Sequence, residues 1–472
     1  MKTIEQIYIN GAFQKPHGQE HFDLINPSTG QSRGYVVLGD EVDARNAIAA
    51  AKAAFLSFSQ TTREERAQYL TRMSEALAAR KNDLIAAMLE EYGASRPFVE
   101  MAVQMAITNP LEIRKTLQSY EFIRNAGNSR VAMESIGVVG LITPWNSNAG
   151  FITGKFSTAL AAGCTAVIKP SEMSATQTQI VIEAIHTIGL PPGVFNLVNG
   201  RGDVVGAEIT RNRDISKISF TGSTAVGKTI ARGAAETLKR VSLELGGKSP
   251  NILLDDTDFA KAIPQALGAA FMNNGQACIA GTRLLVPEAR LEEVKELLRK
   301  AVAQVKVGNP QDPAVTLGPL VNEKQFERVQ SYIRKGMEEG AELLTGGVGR
   351  PEGLEGGYYV KPTVFVNVKN NMAIAREEIF GPVLSVLTYK NLDEAIEIAN
   401  DTDYGLQSYI TTTNPEKAQT LARRLQTGRV LINSPAHDPQ APFGGFKQSG
   451  LGREFGVLGL ESFLEPKSII GK

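Results

Sequence analysis

Cysteine, histidine and tryptophan are all scarce in this chain of 472 residues, which has two cysteines, four histidines and one tryptophan. Two cysteines cannot build a disulfide framework. No histidine is spaced with another histidine or with a cysteine as a zinc site requires. We therefore expect no metal centre, and a chain suited to the reducing cytoplasm.

An excess of charge is also missing, since 50 basic residues balance 50 acidic ones. A nucleic acid is therefore not the expected partner. No run of about 18 apolar residues could span a membrane, and neither terminus resembles a secretory signal or a lipidation site. With 42% apolar and 21% charged residues, the composition is that of a globular protein of two or three domains.

Short apolar runs alternate with helical patterns from about residue 131 onward, which predicts a doubly wound α/β fold. Before that region, Asn10-Gly11 marks the turn of a short hairpin, and helical patterns dominate up to about residue 120. Thr62 and Glu65 form a capping box, and Gly93 ends the helical run that follows. The predicted strands are 136–142, 165–168, 194–198, 217–220, 251–254, 283–286, 383–387 and 430–433. We expect two packed lobes with a cleft between them.

A glycine-bracketed segment, Gly222-Ser223-Thr224-Ala225-Val226-Gly227-Lys228-Thr229, follows a predicted strand and opens a helix. It matches the phosphate-binding loop of ATPases and GTPases in full, and Asp255 could be the acid that holds Mg²⁺. Such a helix N-terminus suits the pyrophosphate of a dinucleotide equally well, although the usual Gly-x-Gly-x-x-Gly fingerprint is absent. A tight turn without any ligand is the third interpretation.

Two segments carry residues suited to covalent catalysis. Cys278 ends Gly275-Gln276-Ala277-Cys278 and could be a nucleophile, although a lone cysteine is more often a small buried hydrophobe. Cys164, which leads into an apolar strand, fits that second description. Glu244 lies between two leucines in Leu243-Glu244-Leu245-Gly246-Gly247-Lys248. Apolar surroundings raise a carboxyl pKa, so Glu244 could be a general base near neutral pH or a partnered structural acid.

Polar residues also follow the first two strands of the α/β series. Asn146, in Pro144-Trp145-Asn146, could donate a hydrogen bond to an oxyanion or serve only in a turn. Glu172, in Lys169-Pro170-Ser171-Glu172, could accept hydrogen bonds from ribose hydroxyls, while Ser171 could be a simple helix cap.

Together these segments resemble the aldehyde dehydrogenase superfamily from end to end. Seven motifs stand in the family's order over about 300 residues, namely Pro144-Trp145-Asn146, Lys169-Pro170-Ser171-Glu172, Phe220-Thr221-Gly222-Ser223, Leu243-Glu244-Leu245-Gly246-Gly247-Lys248, Gly275-Gln276-Ala277-Cys278, Glu378-Ile379-Phe380-Gly381-Pro382 and Pro442-Phe443-Gly444-Gly445.

The resemblance implies a Rossmann-like cofactor domain, an α/β catalytic domain and a small β oligomerisation arm. The implied boundaries are 1–117 and 136–245 for the cofactor domain, with 440–456 returning near it, 246–439 for the catalytic domain, and 118–135 with 457–472 for the arm. The family resemblance also implies a homodimer or homotetramer. It identifies the Gly222 segment as a dinucleotide site, so the ATPase match becomes incidental.

The resemblance further implies oxidation of an aldehyde to a carboxylic acid with NAD. Cys278 would attack the carbonyl, Asn146 and the backbone N–H of Cys278 would hold the oxyanion, and Glu244 would activate water against the thioester. Glu172 would repel a 2′-phosphate, which favours NAD, while Lys169 could admit NADP. The residues implied for cofactor binding are Thr143, Pro144, Trp145, Lys169, Ser171, Glu172, Phe220, Gly222, Ser223, Gly227, Leu245, Glu378 and Phe380.

Around the aldehyde the sequence departs from the family pattern. Many relatives continue Pro-Trp-Asn with Phe-Pro, whereas Ser147-Asn148 follows here, and Gly154 and His437 stand where several relatives have bulky aromatics. Phe443 keeps one aromatic wall. We therefore expect a wider, partly polar tunnel for a bulky or aromatic aldehyde. Two alternatives are a CoA-acylating enzyme, which generally lacks the base that Glu244 supplies, and a P-loop ATPase.

Overall fold

Two large, mostly parallel β-sheets organise the protein in a computed structural model that describes residues 2–434 and 436–471. The strands are β1 (Lys2–Ile4), β2 (Ile7–Ile9), β3 (Ala12–Gln14), β4 (Glu20–Asn26), β5 (Gln31–Leu38), β6 (Ile123–Ala126), β7 (Ser129–Ser135), β8 (Val138–Ile142), β9 (Thr165–Lys169), β10 (Phe195–Leu197), β11 (Lys217–Thr221), β12 (Arg240–Glu244), β13 (Pro250–Leu253), β14 (Arg283–Pro287), β15 (Glu342–Thr345), β16 (Thr363–Val366), β17 (Val383–Tyr389), β18 (Gln407–Thr411), β19 (Arg429–Ile432), β20 (Gly450–Leu451) and β21 (Leu464–Ile470).

Helices cover both faces of these sheets. They are α1 (Glu41–Phe58), α2 (Arg63–Ala79), α3 (Lys81–Glu91), α4 (Arg96–Ser119), α5 (Asn148–Ala162), α6 (Ala175–His186), α7 (Ala207–Arg211), α8 (Thr224–Ala235), α9 (Phe259–Phe271), α10 (Leu291–Val302), α11 (Glu323–Glu338), α12 (Ala373–Arg376), α13 (Leu392–Asn400), α14 (Pro415–Arg424) and α15 (Gly456–Glu461). The α/β class predicted from the sequence is confirmed.

The first large sheet has eight strands in the order β20-β12-β11-β8-β9-β10-β2-β3. Its five central strands, from β12 to β10, are parallel, while β20 and the β2–β3 hairpin are antiparallel. The hairpin turn is Asn10-Gly11, as predicted, with φ angles of 54° and 81°. These left-handed angles are what a tight two-residue turn between twisted strands requires.

The second large sheet has seven strands in the order β15-β16-β17-β14-β13-β18-β19 and is parallel except for β15. Its strands are buried on both faces. Leu284 packs into one apolar cluster and its neighbour Leu285 into another. This double burial explains why such strands are continuous apolar runs in the sequence, without polar alternation.

The carboxyl ends of strands in the eight-stranded sheet face the amino ends of strands in the seven-stranded sheet. Strands β8, β11 and β12 end at Ile142, Thr221 and Glu244. The loops that lead into β14 and β17 carry Cys278 and Phe380 against them. The cleft therefore lies at the carboxyl edge of a parallel sheet, where open α/β sheets bind their ligands.

Two small sheets lie outside this frame. One joins β21, β7 and β6 in antiparallel order, so that a segment near residue 130 pairs with the far end of the chain. The other joins β1, β5 and β4. Strand β6 is exposed along its whole length, and it leaves one edge of the β21-β7-β6 sheet without a neighbour among the described residues.

The N-terminal third differs from its helical prediction in two places. The long strands β4 and β5 pair there, although their residues show no clear apolar alternation in the sequence. The run predicted to continue to Gly93 is two helices, because Arg80 leaves helical geometry at φ −104° and ψ 15°. The capping box of Thr62 and Glu65 is confirmed, with both reciprocal hydrogen bonds present.

No helix in the described ranges is both long and apolar enough to cross a membrane. Within the same ranges no three His, Cys, Asp or Glu side chains gather as metal ligands would. Met1, Pro435 and Lys472, which fall within the predicted domain boundaries, lie outside the described residues.

Replacing Arg283 is expected to destabilise the fold. Its fully buried guanidinium donates hydrogen bonds to the carbonyls of Lys248, Ile398 and Ala399 at 2.8–3.0 Å. In Arg283→Met these carbonyls lose their hydrogen-bond donors. We therefore expect the free energy of unfolding to fall by about 3 kcal/mol or more, which a lower Tm would show. The control Arg299→Met, at an exposed ion pair on α10, should change stability by less than about 0.5 kcal/mol. Equal Tm values for the two variants would contradict this account.

Candidate active site

The loop after β8 is held in a strained conformation that presents Asn146. Ser147 has φ 102°, a left-handed angle that a residue with a side chain rarely adopts. Two buried hydrogen bonds hold this bend. Thr143 Oγ1 donates to Asn148 Oδ1 at 2.5 Å, and Asn148 Nδ2 donates to Thr178 Oγ1 at 2.8 Å. Asn146 Nδ2 then reaches across to the carbonyl of Gln276 at 2.9 Å.

The loop that carries Cys278 is equally constrained. Three consecutive residues, Asn273, Asn274 and Gly275, have positive φ angles of 50°, 59° and 73°. Asn274 is buried, and its Nδ2 donates to two backbone carbonyls at 2.9 Å. Gln276 Oε1 accepts from the N–H of Val321 at 3.0 Å. The thiol therefore stands on a rigid support, as a nucleophile requires.

Glu244 ends β12 as an almost fully buried carboxyl, with 2% of its surface exposed. Both carboxyl oxygens lack a hydrogen-bond partner among the described residues. Burial raises its pKa well above the usual value, and the nearby Glu454 raises the pKa further. A Cβ atom at Gly444 would lie only 2.7 Å from Glu244 Oε1, so glycine is needed at that position. An unsatisfied buried carboxyl of this kind is typical of a general base.

Behind Glu244 lies a buried ion pair that sequence reasoning missed. Lys155 Nζ donates to Glu454 Oε1, and Ser219 Oγ donates to the same oxygen at 3.1 Å. The Lys155 charge lowers the pKa of Glu244, opposing the effect of Glu454. No sequence signal could have joined Lys155 to Glu454, because 299 positions separate them.

Cys278 lies between two acids. Burial, together with the charges of Glu378 and Glu244, raises the pKa of its thiol to about 12. The backbone N–H groups of Cys278 and Ile279 face the sulfur and oppose that shift. The resting thiol is therefore protonated near neutral pH.

Glu378 is the second buried acid of the site. Its Oε1 accepts from the N–H of Gly247 at 3.1 Å, and burial raises its pKa to about 7. Gly246 packs directly against the carboxyl group, where any side chain would collide with it. Phe380 has a left-handed φ of 63° and meets Trp145 edge to face, with ring centroids 5.8 Å apart.

The turn into α8 has the geometry of a helix N-terminus. Ser223 is the N-cap, and its hydroxyl accepts from the N–H of Val226 at 3.4 Å. Gly227 lets α8 pack against Leu245, because a Cβ there would lie 2.5 Å from the leucine side chain. Phe220 is buried beneath Gly222.

The features that supported an ATPase do not converge. Lys228 is exposed and donates to Gln448 at 2.7 Å. Asp255 follows β13 in the other sheet and pairs with Lys417 at 3.5 Å. A phosphate-binding loop needs its lysine and its Mg²⁺-holding acid at one site.

Lys169 and Glu172 lie at the carboxyl end of β9 and form an ion pair at 3.1 Å. Ser171 caps the short turn there by accepting from the N–H of Met173 at 3.4 Å. The Glu172 side chain keeps 25% of its surface exposed, whereas Lys169 is nearly buried. This group lies apart from the cavity around Cys278.

The predicted substrate residues Ser147, Gly154, His437 and Phe443 do not line the cavity around Cys278, and three of them gather around Phe455. His437 meets Phe455 at 5.5 Å, and Phe443 meets the same ring at 6.0 Å. A Cβ at Gly154 would lie 3.7 Å from Phe455 and 3.3 Å from Asn109 Nδ2. Phe455, with a left-handed φ of 64°, thus links Gly154, His437 and Phe443, and sequence reasoning missed it.

One cavity of about 350 Å³ brings half of the predicted site residues together, including all three predicted catalytic residues. Of the predicted set it is lined by Pro144, Trp145, Asn146, Gly222, Ser223, Glu244, Leu245, Cys278, Glu378 and Phe380. It also contains residues that the sequence analysis missed, among them Thr221, Gln325 and Arg328. Gln325 Nε2 donates to the carbonyls of Ile379 and Phe380, so it fixes the strained segment. Its position on α11, between other charged and polar residues, gave no signal.

Comparison with known proteins places this geometry in a family. The model of the aldehyde dehydrogenase family matches residues 13–469. A curated protein of Staphylococcus haemolyticus that carries an aldehyde dehydrogenase name is 45% identical, covering 100% of this chain and 99% of its own length. Among solved structures, a mutant of aldehyde dehydrogenase C from Pseudomonas syringae, in complex with NAD⁺ and octanal, has a TM-score of 0.97 at 46% identity, covering 99% of this chain and 96% of that one. An aldehyde dehydrogenase of Mycobacterium tuberculosis in complex with NAD⁺ has a TM-score of 0.96 at 39% identity, covering 100% and 99%.

Iodoacetamide is expected to alkylate Cys278 and to spare Cys164, because Cys278 lines the cavity whereas Cys164 is fully buried. Since the Cys278 thiol has a raised pKa, its rate should increase about tenfold per pH unit around neutrality. Glu378→Gln removes a nearby negative charge and should accelerate labelling at pH 8, which peptide mass spectrometry measures. Glu183→Gln, at a partly exposed acid on α6 that pairs with Arg80, is the control. Equal labelling of both cysteines would contradict the placement of Cys278 in an accessible cavity and of Cys164 in the core.

Proposed function

Because the chain belongs to the aldehyde dehydrogenase family, we propose that it oxidises a bulky or aromatic aldehyde to the carboxylic acid with NAD, through a covalent adduct on Cys278. As a family member the protein is an NAD(P)-dependent aldehyde dehydrogenase. One observation carries the finer proposal: a single cavity contains the thiol of Cys278, the carboxyl of Glu244 and the side chain of Asn146.

The residues around the cleft fit a dinucleotide. Thr221 Oγ1 is buried without a partner among the described residues, and the first N–H groups of α8 are free of intrahelical acceptors by helix geometry. Thr221, Gly222 and Ser223 would hold the pyrophosphate, and Glu378 the nicotinamide ribose. When bound, the nicotinamide supplies the acceptor for the hydride that leaves the aldehyde carbon. The Pseudomonas syringae and Mycobacterium tuberculosis structures contain NAD⁺ in their own sites.

Preference for NAD over NADP rests on Glu172. Its carboxylate would accept hydrogen bonds from the adenine ribose and would repel a 2′-phosphate. The charge of Lys169 is already engaged by Glu172 at 3.1 Å. NADP would therefore bind only if Lys169 released that carboxylate.

Cys278 is the proposed nucleophile. As the thiol proton passes to the Glu244 carboxylate, the sulfur attacks the aldehyde carbon and forms a C–S bond, and the π electrons of the C=O bond move to the former carbonyl oxygen. Asn146 Nδ2 has two N–H groups, of which Gln276 engages one, so the second is free to stabilise that oxyanion. The backbone N–H of Cys278, which faces the sulfur, would be the second donor to the oxyanion.

Glu244 is the proposed base for release of the product. It would remove a proton from water, which attacks the thioester and frees the Cys278 sulfur as the leaving group. Only the carboxylate form can accept that proton. Because the pKa of Glu244 is raised, hydrolysis should increase with pH over a range well above that of an ordinary glutamate.

The presence of Glu244 also separates hydrolysis from acyl transfer to CoA. A CoA-acylating enzyme needs its thioester to survive until the thiol of CoA arrives, and a base poised beside Cys278 would hydrolyse it first. A buried carboxyl with both oxygens unpaired therefore favours water as the acceptor.

The proposal of a bulky or aromatic substrate rests on side-chain size and on the aromatic residues nearby. Ser147 and Gly154 are smaller than the residues that many relatives have there, and Phe443 and Phe455 offer edge-on aromatic surfaces. Asn109 Nδ2 and Phe455 already lie close to Gly154, so the room gained there is small. The Pseudomonas syringae structure contains octanal, so linear aldehydes belong in any comparison.

We also propose the domain and assembly scheme implied by the sequence. Residues 118–135 and 457–472 would form an arm that joins copies into a homodimer or homotetramer, since β6 is an exposed edge and Ile470 is 84% exposed. The remainder would divide into the cofactor domain and the catalytic domain. Both cysteines are free thiols, which suits the proposed cytoplasmic location.

Purified protein should reduce NAD⁺ in the presence of aldehydes, with benzaldehyde and other bulky aldehydes giving a higher kcat/KM than acetaldehyde. Cys278→Ala should lower activity by at least about 10³-fold because the covalent route is lost, while Cys164→Ala should retain it. NADP⁺ should give a lower kcat/KM than NAD⁺. Absorbance at 340 nm measures every case. Preference for acetaldehyde would refute the wide tunnel, and activity in Cys278→Ala would refute the nucleophile.

A further inference from the structure

Arg429 is a half-buried cation that has no polar partner in the part of the chain that the structure describes. It begins β19, and its guanidinium stands over the ring of Phe443, 5.4 Å from the centroid. In residues 2–434 and 436–471 nothing accepts a hydrogen bond from this guanidinium or pairs with it. A guanidinium has five N–H donors in a fixed fork. No nitrogen of Arg429 is among the fully buried, unpartnered polar atoms of the described residues, so an acceptor on a ligand could take the place of water at these donors.

The strand directs Arg429 away from the core. The next residue, Val430, and Ile432 two positions after it pack against the apolar cluster on one face of the seven-stranded sheet. Because side chains alternate along a strand, Arg429 and Leu431 point to the other face, where Phe443 lies.

That face adjoins the reaction site. Arg429 pairs in register with Gln407 of β18, and two residues further along, the Tyr409 hydroxyl donates to the carbonyl of Ile279 at 2.9 Å. Burial lowers the pKa of Arg429, and Tyr409, Asp438 and Cys278 are near enough for their charges to oppose that shift.

His437 adds a second unused polar group beside Arg429. Its Nε2 is buried and has no hydrogen-bond partner among the described residues. Burial and the Arg429 charge lower the pKa of His437 to about 4, so the imidazole is neutral at physiological pH. A neutral imidazole can donate one hydrogen bond from a ring nitrogen.

Asp438 is the acid nearest to this pair. It raises the pKa of both Arg429 and His437. It is exposed, however, and its Oδ1 accepts from the N–H of Gln440 at 2.9 Å. Among the described residues, no oxygen of Asp438 lies within 4 Å of the Arg429 guanidinium. The positive charge of Arg429 is therefore not neutralised by an ion pair.

We propose that Arg429 and His437 form a subsite for a carboxylate at the end of the substrate remote from its aldehyde group. The inference rests on the proposed function and specifies the substrate class. The preferred aldehydes carry an acidic group across an apolar or aromatic spacer, as 4-formylbenzoate does. Arg429 forms the ion pair, His437 donates a hydrogen bond, and Phe443 with Phe455 contacts the spacer.

The size of the effect follows from the type of bond. A hydrogen bond to a charged group contributes about 1.5–3 kcal/mol, which corresponds to about 10- to 100-fold in kcat/KM. A neutral ester of the same shape loses the ion pair and keeps the contacts of the spacer. The pair of substrates therefore isolates the carboxylate.

The test compares 4-formylbenzoate with its methyl ester in wild type, Arg429→Met and Arg423→Met, the last being an exposed arginine of α14. Wild type should prefer the acid by about 10- to 100-fold in kcat/KM. In Arg429→Met, kcat/KM for 4-formylbenzoate should fall to that of the ester while kcat/KM for the ester stays unchanged. Arg423→Met should retain the preference for the acid. Arg429→Lys should recover part of it. No preference in wild type, or an equal loss for both substrates in Arg429→Met, would overturn the proposal.

A binding measurement keeps the inference separate from the proposed function. Terephthalate should protect Cys278 from iodoacetamide in wild type far better than dimethyl terephthalate does, and Arg429→Met should abolish that difference. This readout needs no turnover. Absence of all aldehyde oxidation would refute the proposed function. Equal protection by both compounds would refute only the carboxylate subsite.

Discussion

Burial of two carboxyl groups around one thiol is the constraint on which this structure depends. Glu244 and Glu378 stand on either side of Cys278, and withdrawal from water raises the pKa of all three groups. Cys278, Glu244 and Glu378 therefore bind their protons more tightly than they would in water. Such a site is costly for the folded protein, and perturbed buried acids of this kind are typical of catalytic sites.

Backbone strain provides the geometry that this chemistry needs. Ser147, Asn273, Asn274 and Phe380 all have left-handed φ angles, and all lie in loops at the cavity. Strained residues of this kind persist only where surrounding contacts hold them. Here the buried amides of Asn148 and Asn274 hold the loops. The two large sheets serve chiefly to bring these loops together, with carboxyl ends on one side and amino ends on the other.

The sequence was informative wherever a signal is local. Continuous apolar runs predicted the buried strands, and Asn10-Gly11 predicted its turn, because both depend on adjacent residues. The break at Arg80 and the β4–β5 pairing were missed, since tertiary contacts decide them. In the site, motif order predicted Cys278, Glu244 and Asn146. The Lys155–Glu454 pair and the orientation of Arg429 could not be predicted, because each acquires meaning only from partners distant in the chain.

In the proposed reaction, Cys278 carries a thioester that Glu244 hydrolyses. The most direct test of this reaction is the intact mass of Glu244→Gln, quenched in acid after mixing with NAD⁺ and benzaldehyde. We predict about one NADH per subunit in a rapid burst, together with a benzoyl adduct on Cys278 that hydroxylamine removes. Glu183→Gln should turn over as wild type does, without an adduct. Wild-type turnover in Glu244→Gln, or NADH formation with Cys278 unmodified, would contradict the account.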